Sequence, residues 1–78
     1  DTRSRWGSCT AAGDLAFSWR LVLAPESVLD YVVAHEVAHL VEMNHSRDFW
    51  RLVLGMAPHA AQARRWLKTN GAALHRYG

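Results

Sequence analysis

Apolar residues recur at helical spacing in the middle of the chain and predict a first helix that begins within residues 24–27. The pattern weakens at Glu42 and Met43, where we expect the helix to end. Asn44 tolerates a left-handed backbone and is predicted to close the helix. The apolar positions of this helix are Val28, Leu29, Val32, Val33, Val37, Leu40 and Val41.

Two further helices are predicted in the second half of the chain. Ser46 is a suitable N-cap for the second helix, and Asp48 in its first turn suits the positive end of the helix dipole. Pro58 separates this helix from a third one over residues 60–70, which Gly71 is expected to end. The side chains predicted to face the core are Phe49, Trp50, Leu52, Val53, Met56, Ala63, Trp66 and Leu67.

The N-terminal third of the chain predicts a β-hairpin. Apolar residues alternate along residues 15–23, which is typical of a strand. Residues 4–9 lie before a turn-like segment and can pair with this strand as a hairpin. An isolated hairpin is marginal in water, so we expect this one to pack on the helices. The fold class is therefore α+β. The free hairpin edge fits two interpretations equally well: an ordinary sheet margin, or a binding edge for an extended peptide.

Size and cysteine content suggest that the fold needs a stabilising ligand. A domain of 78 residues buries only about 60% of its unfolded surface, and its stability is marginal without a disulfide or a bound metal. Cys9 is the only cysteine, which excludes an internal disulfide. A bound metal ion is the natural substitute. For Cys9 itself, a small buried thiol is favoured over a metal-binding or redox role.

Charge and hydropathy limit the classes of partner. The formal net charge of +2 is mild, so nucleic-acid binding is possible but not indicated. Arg64, Arg65 and Lys68 form a basic patch that is more typical of a solvated helix face. No apolar run approaches the roughly 20 residues of a membrane span, and no signal peptide is evident, so we expect no membrane partner and a cytoplasmic location. The chain starts at Asp1 and reads as a piece of a longer protein.

The strongest chemical signal is the motif H-E-x-x-H, formed by His35, Glu36 and His39. Histidines four residues apart on a helix are offset by only about 40°, so both can bind one metal ion from one face. Glu36 is placed to act as a general base on water without binding the metal. Such groups inside an apolar helix are costly unless they are paired or liganded. The alternative is a pair of core histidines satisfied by hydrogen bonds.

A third ligand is expected just beyond the first helix. His45 follows the predicted turn, and three protein ligands plus water are typical of catalytic zinc. Glu42 is the main competitor for this position. The three histidines are spaced as in metzincins, but Glu42 replaces their glycine, so we expect Asn44 to provide the positive φ of the turn. His59 and His75 lack ligand spacing and are interpreted as surface residues.

Motifs along nearly the whole chain form one recognisable pattern: Arg5 to Cys9, Gly13, Trp19 to Leu21, Ala24, Pro25, Asp30 to Val33, His35, Glu36, Ala38 to Leu40, Asn44 to Ser46, Phe49, Trp50 and Arg64 to Leu67. This pattern resembles the YgjP-like metallopeptidase domain, which is akin to the SprT and WLM zinc proteases of the zincin superfamily. The resemblance implies that residues 1–78 form a single zincin-like domain, the C-terminal part of a longer protein, with its hairpin packed on three helices and H-E-x-x-H on the first. One departure is Ser18, where the family usually has Asn.

The resemblance also implies a function: a zinc-dependent peptidase acting on a peptide or protein substrate. The implied zinc ligands are His35, His39 and His45, and Glu36 is the implied catalytic base. Two alternatives keep the fold without catalysis. One is a structural zinc module closed by Cys9, and the other is a nucleic-acid or protein-binding module. The sequence does not determine the oligomeric state.

Groups around the metal are less well determined by the sequence. Backbone carbonyls, Asp30 and Asp48 are candidate partners for the histidine rings. Arg20 and Tyr31 are candidate donors to an oxyanion.

Overall fold

The fold combines a short hairpin with three α-helices, as the α+β prediction required. The computed structural model describes residues 6–76, apart from the side chain of His75. Along the chain, the elements are β1 (Gly7–Cys9), β2 (Leu15–Phe17), a 3₁₀ helix (Trp19–Leu23), α1 (Glu26–Ala38), α2 (Arg47–Met56) and α3 (Ala60–His75).

The hairpin is antiparallel and shorter than predicted. Gly7 pairs with Phe17, and Cys9 pairs with Leu15. The strand predicted over residues 15–23 is wrong after Phe17, because the Ser18 hydroxyl accepts a hydrogen bond from the Arg20 N–H and starts the 3₁₀ helix. The apolar alternation past Ser18 therefore does not mark a sheet face. Residues 4 and 5 of the predicted partner strand lie outside the described residues.

Helix α1 ends at Ala38, about one turn earlier than predicted. The Leu40 N–H donates to the Val37 carbonyl and the Val41 N–H to the Ala38 carbonyl, so the chain leaves the helix through tight turns. Val41 is 78% exposed, which shows that its apolar character does not serve the core. The predicted positive φ at Asn44 is also wrong, since within residues 6–76 only Gly13 has one.

The starts of the second and third helices agree with the sequence, but the end of the third does not. The Ser46 hydroxyl accepts a hydrogen bond from the Phe49 N–H at 3.3 Å and caps α2, as predicted. Helix α3 continues through Gly71 to His75, so the predicted stop at Gly71 is wrong. A Cβ at Gly71 would lie 3.1 Å from the Trp6 ring, which indicates that the glycine permits close packing there.

The core lies between the three helices and the 3₁₀ helix. Phe49 and Val53 of α2 are 0% exposed. The His59 Nε2–H donates to the Ser27 carbonyl at 2.7 Å and ties the start of α3 to α1. Among the described residues, no helix has the length and apolar character needed to cross a membrane. The buried residues of the core are Leu21, Val28, Tyr31, Val32, Ala38, Phe49, Val53, Ala60 and Ala63.

Candidate metal centre

The three predicted ligand histidines form a nearly equilateral triangle. Their ring centroids are 5.0 Å apart for His35 and His39, 5.1 Å for His35 and His45, and 4.9 Å for His39 and His45. One nitrogen from each ring lies within 4.8 Å of the other two. Glu42, the competitor for the third position, is not a member of this group, and neither is Cys9.

Local structure explains how the third histidine reaches the other two. His35 lies in the last turn of α1, and His39 is the residue that caps this helix. His45 directly precedes Ser46, the N-cap of α2. The early end of α1 and the cap of α2 therefore fix the two ends of the turn, and the chain folds back so that His45 faces the end of α1.

The hydrogen bond of His39 determines which of its nitrogens is available. His39 Nδ1 lies 3.1 Å from the Glu42 carbonyl oxygen, which can only accept, so Nδ1 carries the hydrogen. The lone pair of His39 Nε2 then points away from this bond, and Nε2 lies 3.1 Å from His45 Nε2. The expectation of a backbone carbonyl partner is confirmed. Asp48 instead lies 3.7 Å from Arg51, and Asp30 is exposed.

Tyr31 holds the ring of His35 in a comparable way. The Tyr31 hydroxyl lies 3.3 Å from His35 Nδ1, which leaves Nε2 of His35 available to a metal. Burial raises the pKa of Tyr31, opposed by Arg64 and assisted by Glu36, so the hydroxyl is protonated at neutral pH. From the sequence, Tyr31 was a candidate only for an oxyanion donor. Its spacing four residues before His35 was the available signal for a contact on one helix face.

Phe49 forms the floor beneath all three imidazoles. Its ring centroid lies 5.0 Å from His35, 4.5 Å from His39 and 4.9 Å from His45, and the side chain is 0% exposed. Trp50, the next residue, lies 5.9 Å from the His35 ring. The aromatic residues of α2 therefore belong to the core, as predicted, and also limit the positions that the histidine rings can take.

The pKa of His35 is lowered to about 4, first by burial and then by the neighbouring His39, His45 and Arg64. Metal binding requires neutral imidazole. Because a pKa near 4 keeps the ring uncharged at neutral pH, His35 does not have to lose a proton before it binds a cation.

This low pKa predicts an acid-sensitive fold in the metal-free chain. In the unfolded chain His35 takes up a proton near pH 6.5, but in the folded chain only near pH 4, so stability falls as the pH drops between these values. Because the ring is partly exposed, we expect a loss of about 1–2 kcal/mol, below the ~3 kcal/mol of a fully buried group. This loss is measured as the change in the free energy of unfolding by urea between pH 7 and pH 4. An equally steep decline in His35→Gln would contradict this assignment.

Glu36 directly follows His35 on α1 and is not a member of the ligand group. It is 6% exposed, and a Cβ on Gly7 would lie 2.9 Å from its Cγ and 3.2 Å from its Oε2. Glu36 and His35 both line a cavity of about 310 Å³ between β1, α1 and α3. The structure therefore places the predicted base against the hairpin and at the wall of a cavity. Arg20, a candidate oxyanion donor, stacks on Trp19 instead and does not line this cavity.

The close contact at Gly7 predicts a position-specific effect of an added methyl group. Gly7→Ala is expected to lower the free energy of unfolding by about 1–3 kcal/mol, because the methyl group would overlap the Glu36 side chain. Gly55→Ala is the matched control, since nothing lies within 4 Å of its added Cβ. Because Gly55 lies in helix α2, where alanine is the better helix former, the control should raise the free energy of unfolding by up to ~1 kcal/mol. Urea denaturation of both variants tests the contact, and equal stabilities would contradict it.

The donor set fits a metal ion that accepts imidazole nitrogen. With metal–nitrogen bonds of about 2.0–2.1 Å, two nitrogens of a tetrahedral site lie roughly 3.3–3.4 Å apart. The observed 3.1 Å between His39 Nε2 and His45 Nε2 is close to this separation. Hydrogen bonds at the opposite nitrogens of His35 and His39 supply the support that ligand histidines usually have.

Comparison with known proteins agrees with this geometry. Residues 1–70 match the family described as YgjP-like, metallopeptidase domain. Neither a curated protein nor a solved structure matches the chain significantly. The family match spans the hairpin, the three histidines of the triangle, Glu36 and most of α3. On this evidence the chain belongs to the YgjP-like metallopeptidase family.

Proposed function

We propose that this protein is a zinc-dependent peptidase in which His35, His39 and His45 hold the metal and Glu36 is the general base. The observation that carries the proposal is the triangle of three imidazoles, together with a buried glutamate that directly follows His35 in sequence and lines a cavity with it. A cavity next to this glutamate gives a substrate access to it.

The nature of the donors supports zinc. Three neutral nitrogen ligands with one coordination position left for water are typical of catalytic zinc, whereas structural sites have four protein ligands and often include cysteine. Within the described residues, the cluster that can hold a metal contains three histidines and no fourth protein ligand. When bound, zinc in such a site lowers the pKa of water towards 7 and polarises a carbonyl oxygen.

Glu36 is proposed to carry the proton in the reaction. Its carboxylate accepts a proton from the attacking water and then donates it to the leaving amine. Burial at 6% exposure and the contact with Gly7 restrict the carboxylate to a narrow range of positions. A restricted base is favourable, because less conformational freedom is lost when the substrate binds.

The substrate is proposed to be a peptide that lies extended beside the hairpin. Gly7 of β1 lines the same cavity as Glu36 and His35, so a chain alongside β1 would pass the base. Main-chain hydrogen bonds to a strand edge are a common way to hold an extended peptide.

The metal dependence of peptide hydrolysis tests this function. We expect the metal-free protein to cleave no member of a quenched fluorescent peptide library, and one equivalent of zinc to restore cleavage. His45→Gln should prevent the restoration, whereas His59→Gln should allow it, because His59 lies outside the triangle. Cleavage that survives complete removal of the metal would overturn the proposal, as would an inactive protein with one zinc bound per chain.

A further inference from the structure

Arg64 of α3 brings a positive charge to the cavity beside the histidine triangle. Its guanidinium carbon lies 4.5 Å from the centroid of the Trp50 ring, and Trp50 in turn lies 5.9 Å from the His35 ring. Arg64 lines the same cavity as Glu36 and His35. Arg64 is an exposed residue, and its stacking on Trp50 favours positions of the guanidinium over that ring.

This guanidinium has no carboxylate partner among the residues that the structure describes. The ion pair found there joins Arg51 to Asp48 on α2. Arginine presents several N–H donors in a planar fork that matches a carboxylate. The cavity therefore contains a positioned cation with unused donors.

The remaining wall of the cavity is mostly apolar. Val32 is 3% exposed, and Leu67 and Trp6 pack against the same core. All three line the cavity, whose volume of about 310 Å³ is at the small end of ligand sites. The polar residues Tyr31, His35 and Glu36 line the cavity from α1, so a bound carboxylate would lie beside Arg64 of α3. A site with one cation next to an apolar wall is suited to a small group that has both a carboxylate and an apolar part.

We propose that this cavity binds the part of the substrate that carries a carboxylate, with Arg64 as its charge partner and Val32 and Leu67 as its apolar wall. As a substrate-binding assignment, it rests on the proposed peptidase function. The carboxylate comes either from the C-terminus of a peptide or from an aspartate or glutamate side chain. Arg64 is then a specificity-determining residue, and the enzyme cleaves near a negative charge.

Paired substrates test this specificity. We expect the protein to favour peptides with a free C-terminal carboxylate over their C-terminal amides, or peptides with Glu over Gln near the cleaved bond. The preference in kcat/KM should be about 10–100-fold, as is typical of one hydrogen bond between charged groups. Arg64→Gln should abolish the preference and Arg64→Lys should retain part of it. Arg65→Gln is the matched control, since Arg65 is an exposed neighbour that does not line the cavity.

A binding measurement separates this proposal from the peptidase function. The probes are N-acetyl-leucine, with a terminal carboxylate, and N-acetyl-glutamic acid α-amide, with a side-chain carboxylate. Each is titrated beside its uncharged amide counterpart while NMR follows the indole N–H signal of Trp50. We expect at least one acid to shift this signal at lower concentration than its amide, and Arg64→Gln but not Arg65→Gln to remove the difference.

The outcomes of the two experiments are distinct. Peptide cleavage with equal use of charged and neutral substrates, and equal binding of acid and amide, would overturn the role of Arg64 and leave the peptidase function standing. Binding of an acid that depends on Arg64, in a zinc-loaded protein that cleaves no peptide, would support the carboxylate site and overturn the peptidase function.

Discussion

Replacing Glu36 with glutamine is expected to lower kcat for peptide hydrolysis by about 10²–10⁴-fold while the metal stays bound, because general base catalysis contributes a factor of this size. Glu36 lies outside the histidine group that holds the metal, and glutamine has nearly the same shape in the tight contact with Gly7. Initial rates and metal content, measured on the same preparation of each protein, give the result.

Glu42→Gln is the matched control for this substitution. Glu42 is a partly buried carboxylate near the end of α1, and it meets His39 through its backbone carbonyl, which the substitution leaves unchanged. We expect this variant to retain both metal and activity. Loss of the metal from Glu36→Gln would make Glu36 a ligand, and full activity in Glu36→Gln would exclude it as the base.

The second large effect is expected on thermal stability: zinc should raise the Tm of the metal-free chain by about 10–30 °C. Zinc at 100 to 1,000 times its Kd adds about 2.7–4.1 kcal/mol, and each kcal/mol shifts the Tm of a domain this small by about 4–8 °C. The chain depends on such a contribution because its only cysteine, Cys9, cannot form an internal disulfide.

Two histidine variants show whether the stabilisation comes from the triangle. His45→Gln should lose most of the increase in Tm, because it removes one of the three ligands. His59→Gln breaks the bond to the Ser27 carbonyl and should lower the starting Tm, yet it should keep the increase caused by zinc. An equal increase in the two variants, measured by differential scanning calorimetry, would place the metal elsewhere.

The centre of the site could be predicted because its residues are fixed by local rules. His35 and His39 are one turn apart on α1, so their proximity follows from helix geometry alone. Ser46 was recognisable as an N-cap, and it determines where α2 starts and therefore where His45 lies. The family resemblance is confirmed over residues 1–70.

The errors occurred at the ends of elements, where local hydrogen bonds ended β2 and α1 early and a non-local contact allowed α3 to continue. Apolar periodicity carried α1 past its true end, although Leu40 and Val41 are exposed and do not serve the core. Gly71 was predicted to end α3, but its role is to accommodate the Trp6 ring, which comes from the other end of the chain. The alternation after Phe17 belongs to a 3₁₀ helix.

The contacts of Arg64 and Gly7 around the site could not be predicted from the sequence. Arg64 was interpreted as part of a solvated face and is exposed, but it also stacks on Trp50 of α2, and this contact appears only once the chain is folded. The contact between Gly7 and Glu36 likewise depends on how the hairpin packs on α1. Such contacts depend on the packing of whole elements and leave no periodic signal in the sequence.

X-ray absorption spectroscopy of the zinc-loaded protein identifies the atoms bound to the metal. We expect one zinc per chain with three imidazole nitrogens and one oxygen at about 2.0–2.1 Å, which is the pattern of an open, catalytic site. A sulfur ligand at about 2.3 Å would indicate that Cys9 closes the site as a structural centre. That result, or a spectrum with fewer than three imidazoles, would contradict the assignment of His35, His39 and His45 as the metal ligands of a peptidase.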